Sequence, residues 1–379
     1  MTRLESPGSP GSVAGTELVR VMLSGPARHA VSGVSTHLNQ LFGSSLAVEF
    51  TLIQWQVGSE GRSEQGYQRA IRYLSSPMAL AVCLARRRPD IVHLNTSLDP
   101  RSFWRDLSYL IVAKAMRRRV VYQVHGGELP HRFFSGRRAL TGALRWLLSL
   151  PDAVVVLAGC EAEAYGRFAS IRCLRTIPNA IELKEFGSLP KKAFDAETIK
   201  LGYIGRLAED KGIFEIVEAL RLIRERGSVS FQIHWAGSGP AEAVLRQSVK
   251  AAGLEEYSTF LGPIFGDQKL EFWKTTDLFL FPTYHREGLP YTVLESLASG
   301  TPMITTRVGG IPDAITDGVH GLFVASKAPE DLADAIERAA GDRDWLRTAS
   351  TRCRERAAEQ YTIDRLARQF SEVYRAVLG

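Results

Sequence analysis

Apolar residues along this chain follow two alternating rhythms. Short unbroken runs such as Asp277–Phe281 (DLFLF) have the length of a strand buried on both faces. Between them lie longer stretches in which apolar residues recur every third or fourth position, the spacing of a helix. The runs predict strands at Leu18–Ser24, Val48–Ile53, Asp90–Asn95, Arg119–His125, Ala153–Ala158 and Cys173–Ile177. A second series follows at Ile199–Gly205, Val229–Ala236, Thr259–Gly262, Asp277–Phe281, Met303–Thr306 and Leu322–Val324. Helical spacing fills the intervals, including Arg101–Met116, Asp267–Lys274 and the stretch from Pro329 onward. Strands alternating with helices predict parallel sheets covered on both faces, so the fold class is α/β. Residues 182–197 are polar, lack periodicity and read as a linker. At 379 residues the chain exceeds what one core usually serves. The expected organisation is a flexible tail at 1–17, a first domain at 18–181, the linker, a second domain at 198–361 and a last helix at 362–379.

One strand–loop–helix unit concentrates the candidate chemistry. Pro282 ends the DLFLF run, since it cannot donate to a ladder, and a polar loop leads through Glu287 to Gly288 and Leu289. Pro290 stands where a helix starts, Val293, Leu294, Leu297 and Ala298 recur at helical spacing, and Gly300 closes the helix. In open α/β sheets ligands bind beyond the carboxyl ends of the strands. A helix N-terminus at that place offers N–H groups to phosphate. Glu287 and Glu295 frame it. Carboxylates repel an anion, but each accepts from both hydroxyls of a diol, so a sugar and a ribose suit them. Taken singly, both also fit an ordinary solvated loop and helix surface.

Similar positions recur. Ser32-Gly33-Val34 opens a helix after the first strand, where Gly33 permits close backbone approach to a ligand and an ordinary turn would use the same residue. His125 ends the fourth predicted strand just before two glycines, an address that suits a structural or a catalytic histidine. Arg206 directly follows the strand ending at Gly205, and Lys211 lies near the next helix start. Together they could hold a diphosphate, the arginine as a fork and the lysine as a point charge. Gly237-Ser238-Gly239-Pro240 forms another tight loop at a strand end. Residues 131–150 combine Arg132, Arg137, Arg138 and Arg145 with Phe133, Phe134, Trp146 and Leu147. That composition fits a helix lying on an anionic membrane, or an amphipathic helix with a solvated basic face.

Composition narrows the classes. With 45% apolar and 23% charged residues the chain is neither disordered nor a membrane-embedded protein. It shows no secretory apolar region and no run long enough to span a bilayer, so a cytoplasmic location is expected, with 131–150 as a peripheral contact to the membrane's inner face. A net charge of +6 points to an anionic partner. Nucleotide phosphates or lipid headgroups fit better than nucleic acid, because no nucleic-acid motif accompanies the charge. The four cysteines are scattered and form neither a zinc site nor a disulfide framework. Asp342-Arg343-Asp344 has the form of a metal-binding D-x-D, but it lies in an Arg-rich helical stretch and reads as solvated, so no metal is expected. Ser24-Gly25-Pro26-Ala27-Arg28 does not supply the G-x-G-x-x-G of a dinucleotide oxidoreductase.

Pro178-Asn179-Ala180, Gly205-Arg206-Leu207 with Lys211-Gly212, Gly237-Ser238-Gly239 and the Glu287/Glu295 pair occur in this order at characteristic spacings. Together they resemble the retaining glycosyltransferases of family four, the group 1 family with the GT-B fold. The resemblance covers nearly all of the second half, and the first half through Gly33 and His125. It implies two Rossmann-like βαβ domains facing a central cleft, acceptor on the first and donor on the second, with the last helix crossing back. It also implies retaining transfer from a nucleotide diphosphate sugar, UDP- or GDP-linked, to the hydroxyl of a carbohydrate or lipid-linked acceptor in polysaccharide, lipopolysaccharide or glycolipid assembly. No metal or other cofactor is implied. By position, Arg206 and Lys211 would hold the diphosphate, Glu287 the transferred sugar and Glu295 the ribose. His125 would reach the donor sugar from the opposite domain, and Gly33 the phosphates. Backbone at Gly205, Gly237, Gly239, Gly288 and Leu289 would face the donor, with Gly262, Pro263 and Ile264 near the base. Ser32-Gly33 replaces the family's frequent glycine pair and Asn179-Ala180 its Asn-Gly, changes that remove no charge. A catalytically inactive nucleotide-binding module is an alternative, although all four charged positions are present. So is a glycogen- or starch-synthase-like enzyme, although the Lys-Thr-Gly-Gly-Leu loop typical of that group is absent.

Overall fold

The structure, a computed structural model, describes residues 18–59, 61–62, 65–286 and 288–379. The tail at 1–17 and Glu287 lie outside the described residues. Among the described residues, twelve strands make two six-stranded sheets in which every neighbouring pair is parallel. The first contains β1 (Arg20–Gly25), β2 (Thr51–Gln56), β3 (Ile91–Leu98), β4 (Arg119–Gly127), β5 (Ala153–Val156) and β6 (Leu174–Thr176), in the order β2-β1-β3-β4-β5-β6. The second contains β7 (Ile199–Ile204), β8 (Phe231–Ala236), β9 (Ser258–Gly262), β10 (Leu278–Phe281), β11 (Met303–Thr306) and β12 (Gly321–Val324), in the order β12-β11-β10-β7-β8-β9. Interior strands such as β5 and β10 are buried along their whole length, which explains their unbroken apolar runs.

Each order reverses once, between β1 and β3 in the first sheet and between β7 and β10 in the second. Connections leaving two such neighbours pass to opposite faces of the sheet, and a crevice opens at their carboxyl ends. Gly33 follows β1, Arg206 follows β7 and Gly288 follows β10. Topology alone therefore brings the candidate residues to crevices.

Four segments depart from the expectation or refine it. The strand expected from Val48 begins at Thr51, because Leu46–Glu49 is a helical turn that seats Leu46, fully buried, in the core. The helix expected over 131–150 is broken into Pro130–Phe133 and Arg138–Ser149, with Gly136 at φ +80° between them. Phe133 and Phe134 turn inward onto Phe103, with ring centroids 5.4 and 5.1 Å away, and Leu147 is fully buried. Of the four apolar residues expected on a membrane face there, Trp146 alone is exposed. Residues 182–197 are packed rather than loose. Phe186 and Phe194 are buried, and Lys192 Nζ donates to the carbonyls of Trp273 (2.7 Å), Lys274 (3.2 Å) and Thr276 (2.5 Å), capping helix Gly266–Thr275. In the D-x-D segment, Asp342 caps helix Arg343–Gln360 by accepting from the Trp345 amide (2.8 Å).

Helix Ile363–Leu378 leaves the second domain and closes one face of the first. Leu366, Phe370, Val373, Tyr374 and Val377 bury against a core that includes Val21, Leu23, Leu38 and Leu41. Glu49 accepts from Ser371 Oγ (2.6 Å) and pairs with Arg375 (2.8 Å). Between this helix and the sheet lies a polar layer. His93 Nδ1 is 2.6 Å from the Tyr374 hydroxyl, and Gln123 Oε1 lies 3.0 Å from His37 Nε2 and 2.9 Å from His93 Nε2. Burial, the main cause, pushes the pKa of His37 down to about 4 and that of His93 to about 3, so both are neutral at pH 7.

Two outcomes are expected. Tyr374→Phe leaves a buried imidazole nitrogen without its partner and should lower unfolding free energy in urea by about 1–3 kcal/mol. Both histidines titrate lower in the folded than in the unfolded state, so the unfolded chain binds more protons between the folded value of about 4 for His37 and the ordinary 6.5. Stability is therefore complete above that window and falls as pH drops through it. Thermal unfolding followed from pH 7 to pH 4.5 should show this slope, and His37→Gln should flatten it.

Candidate active site

The second domain builds one wall from stacked strand-end loops. The Gly205 amide donates to Ala236 (3.0 Å), Leu207 to Ser238 (3.0 Å) and Gly237 to Gly262 (2.8 Å). A Cβ on Gly237 would collide with the Gly205 carbonyl, and one on Gly239 with that of Leu207. These two glycines therefore serve loop-to-loop contact. Tyr203 Oη donates to the Arg206 carbonyl (2.8 Å), fixing the backbone from which the exposed guanidinium projects. Lys211 ends a 3-10 turn, and Gly212 at φ +76° swings the chain into helix Ile213–Arg226. Beside it the Asp210 carbonyl accepts the amides of Tyr284 (3.0 Å) and His285 (2.9 Å), while its carboxylate pairs with His285 Nδ1 (2.7 Å). The loops after β7 and β10 are thus locked together.

The loop after β10 then runs between the domains. The Gly288 carbonyl accepts from Gly310 (2.7 Å), and the Leu289 carbonyl accepts from Asn179 Nδ2 (2.7 Å). A side chain at Gly288 would strike Leu157 Cδ1 of the first domain, 2.8 Å away. Tyr291 Oη donates to Gln40 Oε1 (3.3 Å), and its ring faces Gly33. Nearby, the Asp313 carboxylate accepts the Gly159 amide (2.5 Å), capping first-domain helix Gly159–Phe168 across the cleft.

Together these elements enclose a cavity of about 470 Å³. Gly33, His125 and Asn179 line it from the first domain; Gly205, Arg206, Lys211, Gly288 and Leu289 line it from the second, with Pro290, Tyr291 and Thr292 presenting the N-terminus of helix Tyr291–Ser299. Gly237, Gly239, Gly262, Pro263, Ile264 and Glu295 are not among its lining residues. Ile264 is buried in the core. Glu295 is 6% exposed and held by Lys269 Nζ (2.7 Å) and Trp273 Nε1 (3.2 Å). Sequence reasoning passed over Asp210, Tyr291 and Thr292. An Asp directly before the candidate Lys211, and the first turn of a helix already singled out, were the available signals.

The walls differ in charge. The second carries a guanidinium, an ammonium and a helix N-terminus, against one carboxylate, Asp210, which is paired with His285. On the first, burial and the neighbouring His37 and His93 hold His125 well below the usual imidazole value, so it is neutral. Its tautomer is set by its neighbour. Asn95 Nδ2 donates to the Ser24 carbonyl (2.8 Å), so Asn95 Oδ1 accepts from His125 Nε2–H (2.7 Å) and Nδ1 keeps its lone pair. Asn179 Oδ1 is buried and has no partner among the described residues, leaving an acceptor at the cavity wall. Among the described residues no group of three or more His, Cys, Asp or Glu converges as a metal site.

Residues 27–185 match the family glycosyltransferase family 4, and residues 188–360 match glycosyl transferases group 1. The chain is 25% identical over 376 residues to N-acetyl-alpha-D-glucosaminyl L-malate synthase of Bacillus anthracis, covering 97% of this chain and 93% of that protein. It is 30% identical over 305 residues to the putative teichuronic acid biosynthesis glycosyltransferase TuaC of Bacillus subtilis, covering 76% and 71%. Other curated matches are local: two of them span 44% and 56% of the relative's length. The solved structure of Anabaena HepE in complex with UDP superposes with a TM-score of 0.76 at 14% identity, covering 94% of this chain and all of that one. The chain belongs to the group 1 glycosyl transferases of family 4 and has their two-domain GT-B fold.

Proposed function

We propose that the cleft transfers a sugar from a nucleotide diphosphate sugar to an acceptor hydroxyl, with retention of configuration and without a metal. One observation carries this: Arg206, Lys211 and the N-terminus of helix Tyr291–Ser299 share one wall of a cavity whose other wall holds neutral hydrogen-bonding groups. A diphosphate matches the first wall and a sugar the second. UDP is the nucleotide to test first, since HepE is described as solved with UDP and with UDP-glucose. Two relatives are named as an N-acetyl-alpha-D-glucosaminyl L-malate synthase and a putative teichuronic acid biosynthesis glycosyltransferase, which supports a role in glycoconjugate or polysaccharide assembly.

In this reading the bond from the anomeric carbon to the diphosphate oxygen breaks while the acceptor oxygen bonds on the same face. The acceptor's proton passes to the departing phosphate oxygen. Arg206 and Lys211 stabilise the charge that develops there. His125 Nδ1 and Asn179 Oδ1 accept sugar hydroxyls from the first domain, and Gly33 lets the chain approach the phosphates. Glu287 is assigned to the transferred sugar and Glu295 to the ribose. An ionised carboxylate has about four lone-pair sites, so Glu295 keeps accepting capacity beyond Lys269 and Trp273. Gly262, Pro263 and Ile264 are assigned to the base.

Arg206→Ala and Lys211→Ala should each lower kcat by roughly 10²–10³-fold, read as nucleoside diphosphate release, with unchanged thermal unfolding. Turnover within a few-fold of the parent would remove the diphosphate role. Activity should survive a chelator in full, and a requirement for added Mg²⁺ would overturn the metal-free scheme. Thermal-shift screening of UDP-, GDP- and ADP-sugars identifies the donor, because ligand binding to the folded state raises the unfolding midpoint. NMR of the product's anomeric proton then reads the configuration, and an inverted product would refute retention.

A further inference from the structure

Helix Gly66–Arg87 is apolar on two opposite faces. Ser76, Leu80 and Leu84 face the first domain's interior. On the far side Tyr67, Ile71, Leu74, Met78 and Val82 recur every three or four residues and stand 61, 62, 80, 70 and 42% exposed. A surface helix ordinarily turns polar residues to water, so five large apolar groups in line form a patch that calls for a covering partner. The first turns of the helix also stand clear of the body: from 65 to 75 every residue except Arg72 is exposed. Short helical turns without packing are marginal in water. Helices Pro100–Ala115 and Arg138–Ser149 cover the same core and add exposed Trp104 and Trp146.

Charge identifies the partner. The helix contains no acidic residue and ends in Arg86 and Arg87, followed by Arg88. Residues 1–181 hold 22 Lys and Arg against 12 Asp and Glu, whereas residues 182–379 hold 25 against 29. The positive excess thus resides in the half that carries the stripe. A second copy pairing through this face would bring like charges together, which disfavours it. The turn that precedes the stripe is tied to a loop that leads into the cleft. His29 Nε2 lies 3.2 Å from the Gly61 carbonyl, joining the turn before the helix to the loop that leads to Gly33.

We propose that the outer face of helix Gly66–Arg87 inserts shallowly into an anionic lipid bilayer. Its apolar row enters the headgroup–acyl boundary, the indoles of Trp104 and Trp146 lie at the interface beside it, and the arginines meet lipid phosphates. This face differs from 131–150, whose phenylalanines are turned inward. Membrane attachment here does not require that the cleft be catalytic. If it is, the cleft mouth lies at the bilayer surface, where a lipid-borne acceptor is within reach.

Flotation of the full chain with vesicles of phosphatidylcholine, with and without phosphatidylglycerol, tests this. Binding is expected to the phosphatidylglycerol vesicles, weakening as salt is raised. Leu74→Glu combined with Met78→Glu should weaken it about tenfold or more while circular dichroism and thermal unfolding stay unchanged, since both side chains already face water. Arg86→Gln with Arg87→Gln should reduce the preference for the anionic lipid. No binding to either vesicle, or equal binding by the glutamate variant, would overturn the proposal. So would a dimer in analytical ultracentrifugation that the glutamate variant splits without any vesicle binding, which would make the stripe an interface between copies.

Discussion

The cleft depends on a bare stretch of backbone after β10. Gly288 lies against Leu157 of one domain and gives its carbonyl to Gly310 of the other, and a methyl group on it would have to displace the Leu157 side chain. Leu289 is held one residue later by Asn179, and Tyr291 reaches Gln40. The contacts to Leu157, Asn179 and Gln40 span the interdomain gap within four residues. The same four residues lead directly into helix Tyr291–Ser299, so the segment that ties the domains together also aims the helix N-terminus into the cavity. Packing and electrostatics are decided by one loop.

Its surroundings repeat that economy. The loops after β7, β8 and β9 hydrogen-bond to one another through backbone, which requires glycine at 237 and 239 and leaves Arg206 projecting from a rigid base. On the facing wall a chain of polar groups runs inward from His125 to Asn95 and Ser24, and a separate layer joins His37, Gln123 and His93 to Tyr374 of the last helix. Burial keeps these imidazoles neutral. The cavity therefore meets a wall with an excess of positive charge, Arg206 and Lys211 against Asp210, with an uncharged one, the pairing expected of a site that takes an anion joined to a sugar.

Much of this was legible in the residues. The unbroken apolar runs marked interior strands because helices cover both faces of each sheet, and their βα rhythm implied parallel pairing. Arg206, Lys211, Gly288 and His125 stood at strand ends, and strand ends at a reversal of order are where crevices open. Segment 131–150 read differently. Its phenylalanines carry no mark of which way they point, and Gly136 breaks the helix so that both turn onto Phe103. Helix Gly66–Arg87 shows the converse, since periodicity reports that a helix has apolar faces but not which of them is left uncovered.

Local sequence determined where strands and helices lie, which residues stand at their ends and what charge each carries, because those follow from side-chain size, polarity and backbone freedom over a few positions. Only the tertiary structure decided which strand ends share a crevice, that Glu295 pairs with Lys269 and Trp273 rather than lining the cavity, and that the last helix seals the first domain. Those outcomes join residues tens to hundreds of positions apart. They depend on strand order and on how two cores pack, which no short window of the sequence records.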